Sequence, residues 1–266
     1  SKKESTRFQR RLRDRKTGPS AARSAVAGNN WAVERPEVVS FDCAQTLVEV
    51  NWIPSQLALN CAKKMGLEVD DQLGSERYSR LLQTRWPLFT QLNLARSEAV
   101  CNEFWREITH DWIVMMGWDP ELTEPMLAVG DELLYGPDSQ IFQVYDDVIP
   151  CLDALKAAGV RMVIISNWDN SLHRVVRHFG LTDYFELVVA SLEEGVEKPE
   201  PGIFEVAIQK TGVAADRFVH IGDNPLDDIR GAMNAGMDAW LIDRSIPVSE
   251  AKRLSTLADL PAALGL

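Results

Sequence analysis

The second half of the chain alternates short apolar runs with segments of helical periodicity. The apolar runs, together with one early in the chain, predict strands at 38–41, 161–165, 185–190, 217–221 and 239–242. The periodic segments predict helices at 148–158, 172–179, 203–210 and 228–235. This alternation is typical of an α/β fold with a doubly wound parallel sheet. Such a sheet brings the carboxyl ends of its strands to one edge, where ligands usually bind.

Between residues 47 and 146 the pattern changes to helical periodicity alone, with no evident strand. It predicts helices at 55–65, 75–83, 97–116 and 125–134. Because this connection is far longer than an ordinary strand-to-helix loop, it predicts an inserted α-helical cap. We expect the four tryptophans of the cap to pack in its interior rather than to contact a substrate, because aromatic side chains on helices mostly pack: Trp86, Trp105, Trp112 and Trp118.

The predicted organisation has three parts. Residues 1–30 form a flexible basic arm, residues 31–46 and 147–266 form the α/β core, and residues 47–146 form the cap. After residue 245, Leu254, Leu257 and Leu260 have helical spacing. We expect this carboxyl-terminal extension to pack back on the core.

The charge of the chain is segregated. Residues 1–23 carry nine Lys or Arg against two acidic residues, so the net charge of −11 divides into +7 and −18. The first 30 residues have almost no large apolar side chains and cannot bury enough surface to offset the entropy lost on ordering. We expect a solvated arm, and binding of an acidic partner, a nucleic acid or an organelle import receptor stays an alternative. The acidic remainder argues against a nucleic-acid enzyme, because phosphate backbones favour basic surfaces.

Two further features bear on location. No apolar run approaches the roughly 18 residues of a membrane helix, and the amino terminus shows no apolar signal segment. The four cysteines are widely spaced and form no CxxC pair, which favours reduced thiols over a zinc site. We therefore expect a cytoplasmic protein without a membrane anchor, with organelle import through the arm as the alternative.

Four segments at predicted strand ends carry residues suited to phosphoryl transfer. Asp42 can attack phosphorus from a fixed direction, and Asp223 and Asp228 can join it in an oxygen cluster suited to Mg²⁺. The Ser166 hydroxyl, with backbone N–H groups at Ser166 and Asn167, can hold phosphoryl oxygens. Lys198 adds a cation that can bridge the nucleophile and the phosphoryl group. Each signal is common by itself, and their ordered occurrence after strands of one sheet makes them specific.

These segments resemble the haloacid dehalogenase superfamily over about residues 38–243, in the subclass with a helical cap after the first strand. The resemblance lies in the runs at 42–47, 165–167, 198–201, 221–228 and 231–237, and it is closest to haloacid-dehalogenase-like hydrolases of the rhythmically expressed type. It implies a Rossmann-like core and a covalent aspartyl intermediate on Asp42. It also implies Mg²⁺ held by Asp42, the backbone carbonyl of Ala44 and Asp223, with Asp228 nearby.

Two residues depart from the family pattern. Ala44 stands where a phosphatase of this design carries an aspartate as general acid and base, and Gln45 replaces the glycine usual before Thr46. Loss of positioned proton transfer typically costs 10²- to 10⁴-fold in rate, or roughly 3–5 kcal/mol. We expect this loss to impair the hydrolysis of alkyl phosphates and to spare substrates with acidic leaving groups.

With alanine at this position the chain also resembles phosphonoacetaldehyde hydrolase. That enzyme forms a Schiff base between a cap lysine and its substrate. The only cap lysines are Lys63 and Lys64, and an exposed pair lacks the desolvation that activates such amines. True dehalogenases also lack the second aspartate but normally lack the metal-binding acids that remain here as Asp223 and Asp228. His220 is expected to be a strand side chain rather than a catalytic base.

The sequence therefore predicts an Mg²⁺-dependent hydrolase acting on a small phosphorylated metabolite, with weak phosphomonoesterase activity. The rival hypothesis is a catalytically impaired binding or scaffold protein that keeps the phosphate and metal site.

Overall fold

The computed structural model describes residues 35–266. The predicted arm at residues 1–30 lies outside the described residues. The strands, in chain order, are β1 (Val38–Phe41), β2 (Val48–Val50), β3 (Phe142–Val144), β4 (Arg161–Ser166), β5 (Leu187–Ala190), β6 (Phe218–Gly222), β7 (Asp238–Ile242) and β8 (Arg253–Leu254). The α-helices are α1 (Pro54–Lys64), α2 (Asp71–Asn93), α3 (Glu98–Met116), α4 (Thr123–Tyr135), α5 (Val148–Ala157), α6 (Ser171–His178), α7 (Ser191–Glu194), α8 (Pro201–Thr211), α9 (Gly231–Asn234) and α10 (Leu260–Ala263).

Six strands form one sheet in the order β5-β4-β1-β6-β7-β8, and every neighbouring pair is parallel. The prediction of a doubly wound parallel sheet is confirmed. Strand β1 lies at the centre, where Phe41 is in register with Ile164 of β4 and Ile221 of β6. The residues that follow these three strands therefore emerge side by side at one edge.

Helices cover both faces of this sheet, which explains the near-continuous apolar strands. Val39 and Phe41 of β1 pack on one face with α5 and α6, and Val38 packs on the other with α8. All three side chains are fully buried. Each such burial stabilises the fold by about 1.5–3 kcal/mol.

Four helices, α1 to α4, form a separate layer with its own apolar cluster. The side chains of Asp70 and Ser97 cap α2 and α3 by accepting from backbone N–H groups three residues on. Helix α2 is much longer than the predicted 75–83 and continues through Pro87. Trp112 is fully buried and donates to the Gly74 carbonyl at 3.0 Å, whereas Trp86 is 38% exposed.

The expectation that residues 47–146 contain no strand is wrong. Strands β2 and β3 form an antiparallel pair at the two ends of the helical layer. Val48 and Phe142 pack with the core cluster rather than with the helical layer. The pair escaped prediction because each strand has three residues, too few to show a period.

The carboxyl-terminal segment is partly different from its prediction. Leu254 lies in strand β8 rather than in a helix, while Leu257 and Leu260 begin a 3₁₀ turn and α10. All three leucines are at most 1% exposed and pack on the core, as expected. Among the described residues, none of the helices has the length and apolar character needed to cross a membrane.

Candidate active site

Asp42 follows the central strand directly, and its N–H donates to the Ile221 carbonyl at 2.8 Å. This bond extends the pairing of β1 with β6 by one residue and fixes the backbone from which the carboxylate projects. The next residue, Cys43, points to the opposite face and lies in the core cluster. Burial raises the pKa of the Cys43 thiol, so the thiolate needed for nucleophilic chemistry is disfavoured there.

One oxygen of the Asp42 carboxylate is held by two neighbouring segments. The Ser166 hydroxyl, at the end of β4, donates to Oδ1 at 2.8 Å, and Lys198 Nζ donates to the same atom at 2.6 Å. Within residues 35–266, Oδ2 makes no hydrogen bond. The carboxylate is thus oriented through one oxygen and leaves the other available to a ligand or an electrophile.

Lys198 connects the predicted nucleophile to a second carboxylate. Its ammonium group is almost fully buried and lies 2.6 Å from Asp42 Oδ1 and 2.5 Å from Asp228 Oδ1. Its backbone is clamped by the Asn167 side chain, which donates to the Lys198 carbonyl at 2.9 Å and accepts from its N–H at 2.8 Å. Asn167, predicted to bind substrate, therefore uses its side chain to position Lys198.

Asp42, Asp223 and Asp228 form a cluster in which one oxygen from each carboxylate lies within 4.8 Å of the others. Gly222 makes this approach possible, because a Cβ at that position would overlap the Asp228 carboxyl group. The backbone N–H of Asn224 donates to Asp228 Oδ2 at 2.9 Å. Both oxygens of Asp228 are therefore engaged by the protein.

The pKa values of the three aspartates are set by burial, by repulsion between their charges and by their positively charged and hydrogen-bonding neighbours. Burial raises the pKa of Asp42, and the positive charge of Lys198 lowers it; the effect of burial is the larger, so the pKa is raised. Burial, reinforced by the negative charges of Asp42 and Asp228, raises the pKa of Asp223 to about 7. Burial also acts to raise the pKa of Asp228, but hydrogen bonding to His220 and the charge of Lys198 outweigh it and hold the pKa well below its usual range.

This donor set fits a hard divalent cation. Carboxylate oxygens are the ligands that Mg²⁺ prefers. Burial, and after it the charges of Asp42 and Asp228, raise the pKa of Asp223 even with Lys198 nearby, so a cation bound there would stabilise its ionised form. Asp42 and Asp223 are the acids best placed to bind such an ion, since both oxygens of Asp228 already have partners. The carbonyl of Ala44, on the loop that follows Asp42, stays a predicted ligand.

His220 has a role in the site that sequence reasoning missed. It is a strand side chain, as expected, and is fully buried in β6. Its Nδ1 lies 2.9 Å from the Ser40 hydroxyl, and its Nε2 lies 3.3 Å from Asp228 Oδ1. His220 is in register with Ser40 across β1 and β6, which places the two side chains on the same face of the sheet. Its position two residues before Gly222 in a predicted strand was the available sequence signal.

No acid replaces the one missing at Ala44 within its own loop. The neighbouring Gln45 donates from Nε2 to the Val50 carbonyl at 2.9 Å and accepts from the Tyr145 hydroxyl at 3.1 Å. Both cap lysines form ion pairs outside the site: Lys63 pairs with Asp71, and Lys64 pairs with Glu132. Their side chains are 47% and 43% exposed. Neither has the buried environment of a Schiff-base lysine.

Comparisons with known proteins agree with this geometry. A family model described as a haloacid dehalogenase-like hydrolase matches residues 36–236. A zebrafish (Danio rerio) relative named haloacid dehalogenase-like hydrolase domain-containing protein 3 is 26% identical over 236 residues, which cover 85% of this chain and 95% of the relative. A glyceraldehyde 3-phosphate phosphatase of Methanopyrus kandleri is 29% identical over 214 residues, covering 76% of this chain and 81% of that protein.

Among solved structures, a 2-haloacid dehalogenase from Pseudomonas syringae is 25% identical, with a TM-score of 0.62 over 86% of this chain and 98% of that one. The family model spans most of the described chain and includes all four segments that meet at Asp42. With its central aspartate, its lysine and its paired acids arranged at one sheet edge, this chain belongs to the haloacid dehalogenase-like hydrolases.

Proposed function

We propose that the protein is an Mg²⁺-dependent phosphatase that acts on a small phosphorylated metabolite with an acidic leaving group. Asp42 is the nucleophile, and the reaction passes through an aspartyl phosphate. The observation that carries the proposal is the orientation of Asp42: Ser166 and Lys198 both hold Oδ1, and Oδ2 is left without a partner in the described chain. Relatives named as phosphatases support the same reaction class.

The residues divide the work of the reaction. One oxygen of the Asp42 carboxylate attacks phosphorus, the bond from phosphorus to the leaving oxygen breaks, and that oxygen departs with the electron pair. Lys198 lies beside the attacking carboxylate and neutralises phosphoryl charge, while Asn167 keeps its backbone in place. Asp42 and Asp223 would hold Mg²⁺, which would screen the negative nucleophile from the negative phosphate. Water then attacks the aspartyl phosphate, which releases inorganic phosphate and restores Asp42.

Ala44 restricts this chemistry. An alkoxide leaving group needs a proton, and alanine has none to give. An aryl or acyl leaving group departs as a stable anion and needs no such acid. Ala44 therefore favours aryl and acyl phosphates over sugar and alkyl phosphates.

Ala44 also favours a second candidate function. A protein that keeps Lys198, Asp223 and Asp228 but lacks the acid and base could bind a phosphorylated ligand and release it unchanged. Such a binding or scaffold protein would show Mg²⁺-dependent affinity for phosphate esters without turnover. The presence of Asp223 and Asp228, which true dehalogenases normally lack, argues against a dehalogenase function.

The test is turnover across phosphate esters of graded leaving-group acidity, with Mg²⁺ and with EDTA. We expect the natural protein to hydrolyse aryl and acyl phosphates only with Mg²⁺ and Asp42→Asn to be inactive. We expect Ala44→Asp to accelerate alkyl phosphates by roughly 10²-fold or more, because it restores the proton donor.

Asp227→Asn is the matched control, since Asp227 follows the same strand but bonds to Asn224 rather than joining the carboxylate cluster. It should behave as the natural protein does. Metal-independent turnover that survives Asp42→Asn would rule out the mechanism, and phosphate-ester binding without turnover in all variants would favour the scaffold.

A further inference from the structure

A cavity of about 340 Å³ lies where the cap helices face the loop before α6. Its walls are aromatic on both sides, with Trp52, Tyr78, Trp105 and Trp112 from the cap side and Phe142 and Trp168 from the core side. An apolar cavity of about 150 Å³ is enough to hold a benzene ring. The space here is more than twice as large and suits one or two fused rings.

One residue that lines this cavity lies two positions along the chain from the reaction centre. Ser166 donates to Asp42 at 2.8 Å, and Trp168, two residues later, lines the cavity. Two residues span at most about 7 Å. The Trp168 ring is held against Phe142, with 5.9 Å between ring centroids, and its Nε1 donates to the Ser171 hydroxyl at 3.0 Å. The aromatic wall is thus a fixed continuation of the segment that orients the nucleophile.

Two of the three acidic side chains that line the cavity form an ion pair with an arginine, and the third does not. Glu98 pairs with Arg177 at 2.7 Å and Asp131 pairs with Arg174 at 3.0 Å. Asp169 is 8% exposed, accepts from the Ser171 N–H at 2.7 Å and has no cationic partner within residues 35–266. A ligand in the cavity therefore meets one buried carboxyl group that can accept a hydrogen bond and would repel an anion.

We infer that this cavity binds the leaving group of the substrate, and that the substrate is an aryl phosphate with one or two fused rings and no second anionic group. The inference rests on the proposed phosphatase function for the reaction but not for the binding of the aromatic group. The missing acid at Ala44 points independently to the same substrate class, because phenolic leaving groups depart without a proton donor.

Gly130 provides the means to fill the cavity. It lines the cavity from α4, and a Cβ added there would meet only Cys61 Sγ, at 3.7 Å. Gly130→Leu should occupy the space without breaking the helix, because leucine has a higher helix propensity than glycine. Cys61→Leu, which fills it from α1, is the second variant in case the first does not fold. Ala128→Leu, at an exposed position on the same helix, is the matched control.

The binding arm of the experiment titrates 2-naphthol and 6-hydroxy-2-naphthoate into each protein by calorimetry. We expect the natural protein and Ala128→Leu to bind 2-naphthol equally and the carboxylate far more weakly. The filled variants should lose about tenfold in affinity for 2-naphthol, as expected when apolar groups occupy a pocket. Asp169→Asn should reduce the difference in affinity between 2-naphthol and 6-hydroxy-2-naphthoate.

The turnover arm compares 2-naphthyl phosphate with acetyl phosphate, which is too small to need the cavity. We expect the ratio of their kcat/KM values to fall by about tenfold in the filled variants. Equal 2-naphthol affinity in natural and filled proteins, or none in the natural protein, overturns the inference. If cavity-dependent binding occurs and neither phosphate is hydrolysed, the cavity stands as a binding site and the proposed phosphatase function fails.

Discussion

At the residue scale, Gln45 shows how the loop after Asp42 tolerates a departure from glycine. Its φ of 58° lies in the left-handed region, which costs a non-glycine residue about 1–2 kcal/mol. Its side chain offsets this cost by bonding to the Val50 carbonyl of β2 and to the hydroxyl of Tyr145, the residue after β3. The backbone N–H of Gln45 also donates to the Val48 carbonyl at 2.7 Å.

Two substitutions at Gln45 should separate strain from bonding. Gln45→Gly relieves the strain and loses both side-chain hydrogen bonds, so we expect the free energy of unfolding to change by less than about 1 kcal/mol. Gln45→Ala keeps the strain and loses the same bonds, and we expect a loss of about 1–2 kcal/mol. Urea denaturation measures both. An alanine variant as stable as the natural protein would show that the side-chain bonds contribute nothing.

At the element scale, the carboxyl-terminal segment is tied to the start of α5 by one carboxylate. Asp147 accepts from Arg244 at 2.6 Å, from the Thr256 hydroxyl at 2.6 Å and from the Leu257 N–H at 2.9 Å. Arg244 also donates to the Thr46 carbonyl at 2.9 Å, which links the same network to the loop of the active site. Burial acts to raise the pKa of Asp147, but the hydrogen bonds from Arg244, Thr256 and Leu257 outweigh it, so the pKa is lowered.

A carboxyl group whose pKa is lowered by folding contributes stability above its unfolded pKa and loses it as the pH falls through the folded value. We expect Asp147→Asn to cost about 1–3 kcal/mol at neutral pH, because it removes bonds to a charged acceptor. The difference in free energy of unfolding between the natural protein and Asp147→Asn should shrink as the pH falls below 3.8, the ordinary pKa of an aspartate. Denaturation of both proteins between pH 7 and the acid limit of folding measures it.

Asp153→Asn is the control for this prediction, since Asp153 lies exposed on the same helix and accepts one bond from Tyr184. Its effect should be small at every pH. A cost of Asp147→Asn that is equal at neutral and acid pH would contradict the charge-based account.

At the scale of the whole molecule, residues 35–266 as described contain three apolar clusters and the four site segments. The basic residues at 1–23, with a charge of +7, precede a remainder of −18. Binding of an acidic partner by this segment stays a proposal.

We expect deletion of residues 1–30 to leave the melting temperature and turnover nearly unchanged, because solvated tails contribute few contacts. Thermal denaturation at low and high salt measures this. If the segment instead docks on the acidic remainder, the deletion should lower the melting temperature at low salt, and the difference should vanish at high salt because surface charge pairs are screened.

The sequence by itself determined the parallel sheet and the order of the site segments, and it singled out Asp42, Lys198, Asp223 and Asp228, whose side chains lie together in the fold. These follow from local periodicity and from the rule that parallel strands end at one edge. Tertiary structure alone decided that Ser166 and Lys198, 124 and 156 residues from Asp42, hold the same oxygen. It also decided the β2–β3 pairing, the contact of His220 with Asp228 and the aromatic cavity. Each of these depends on contacts between distant segments, and such contacts leave no period in the chain.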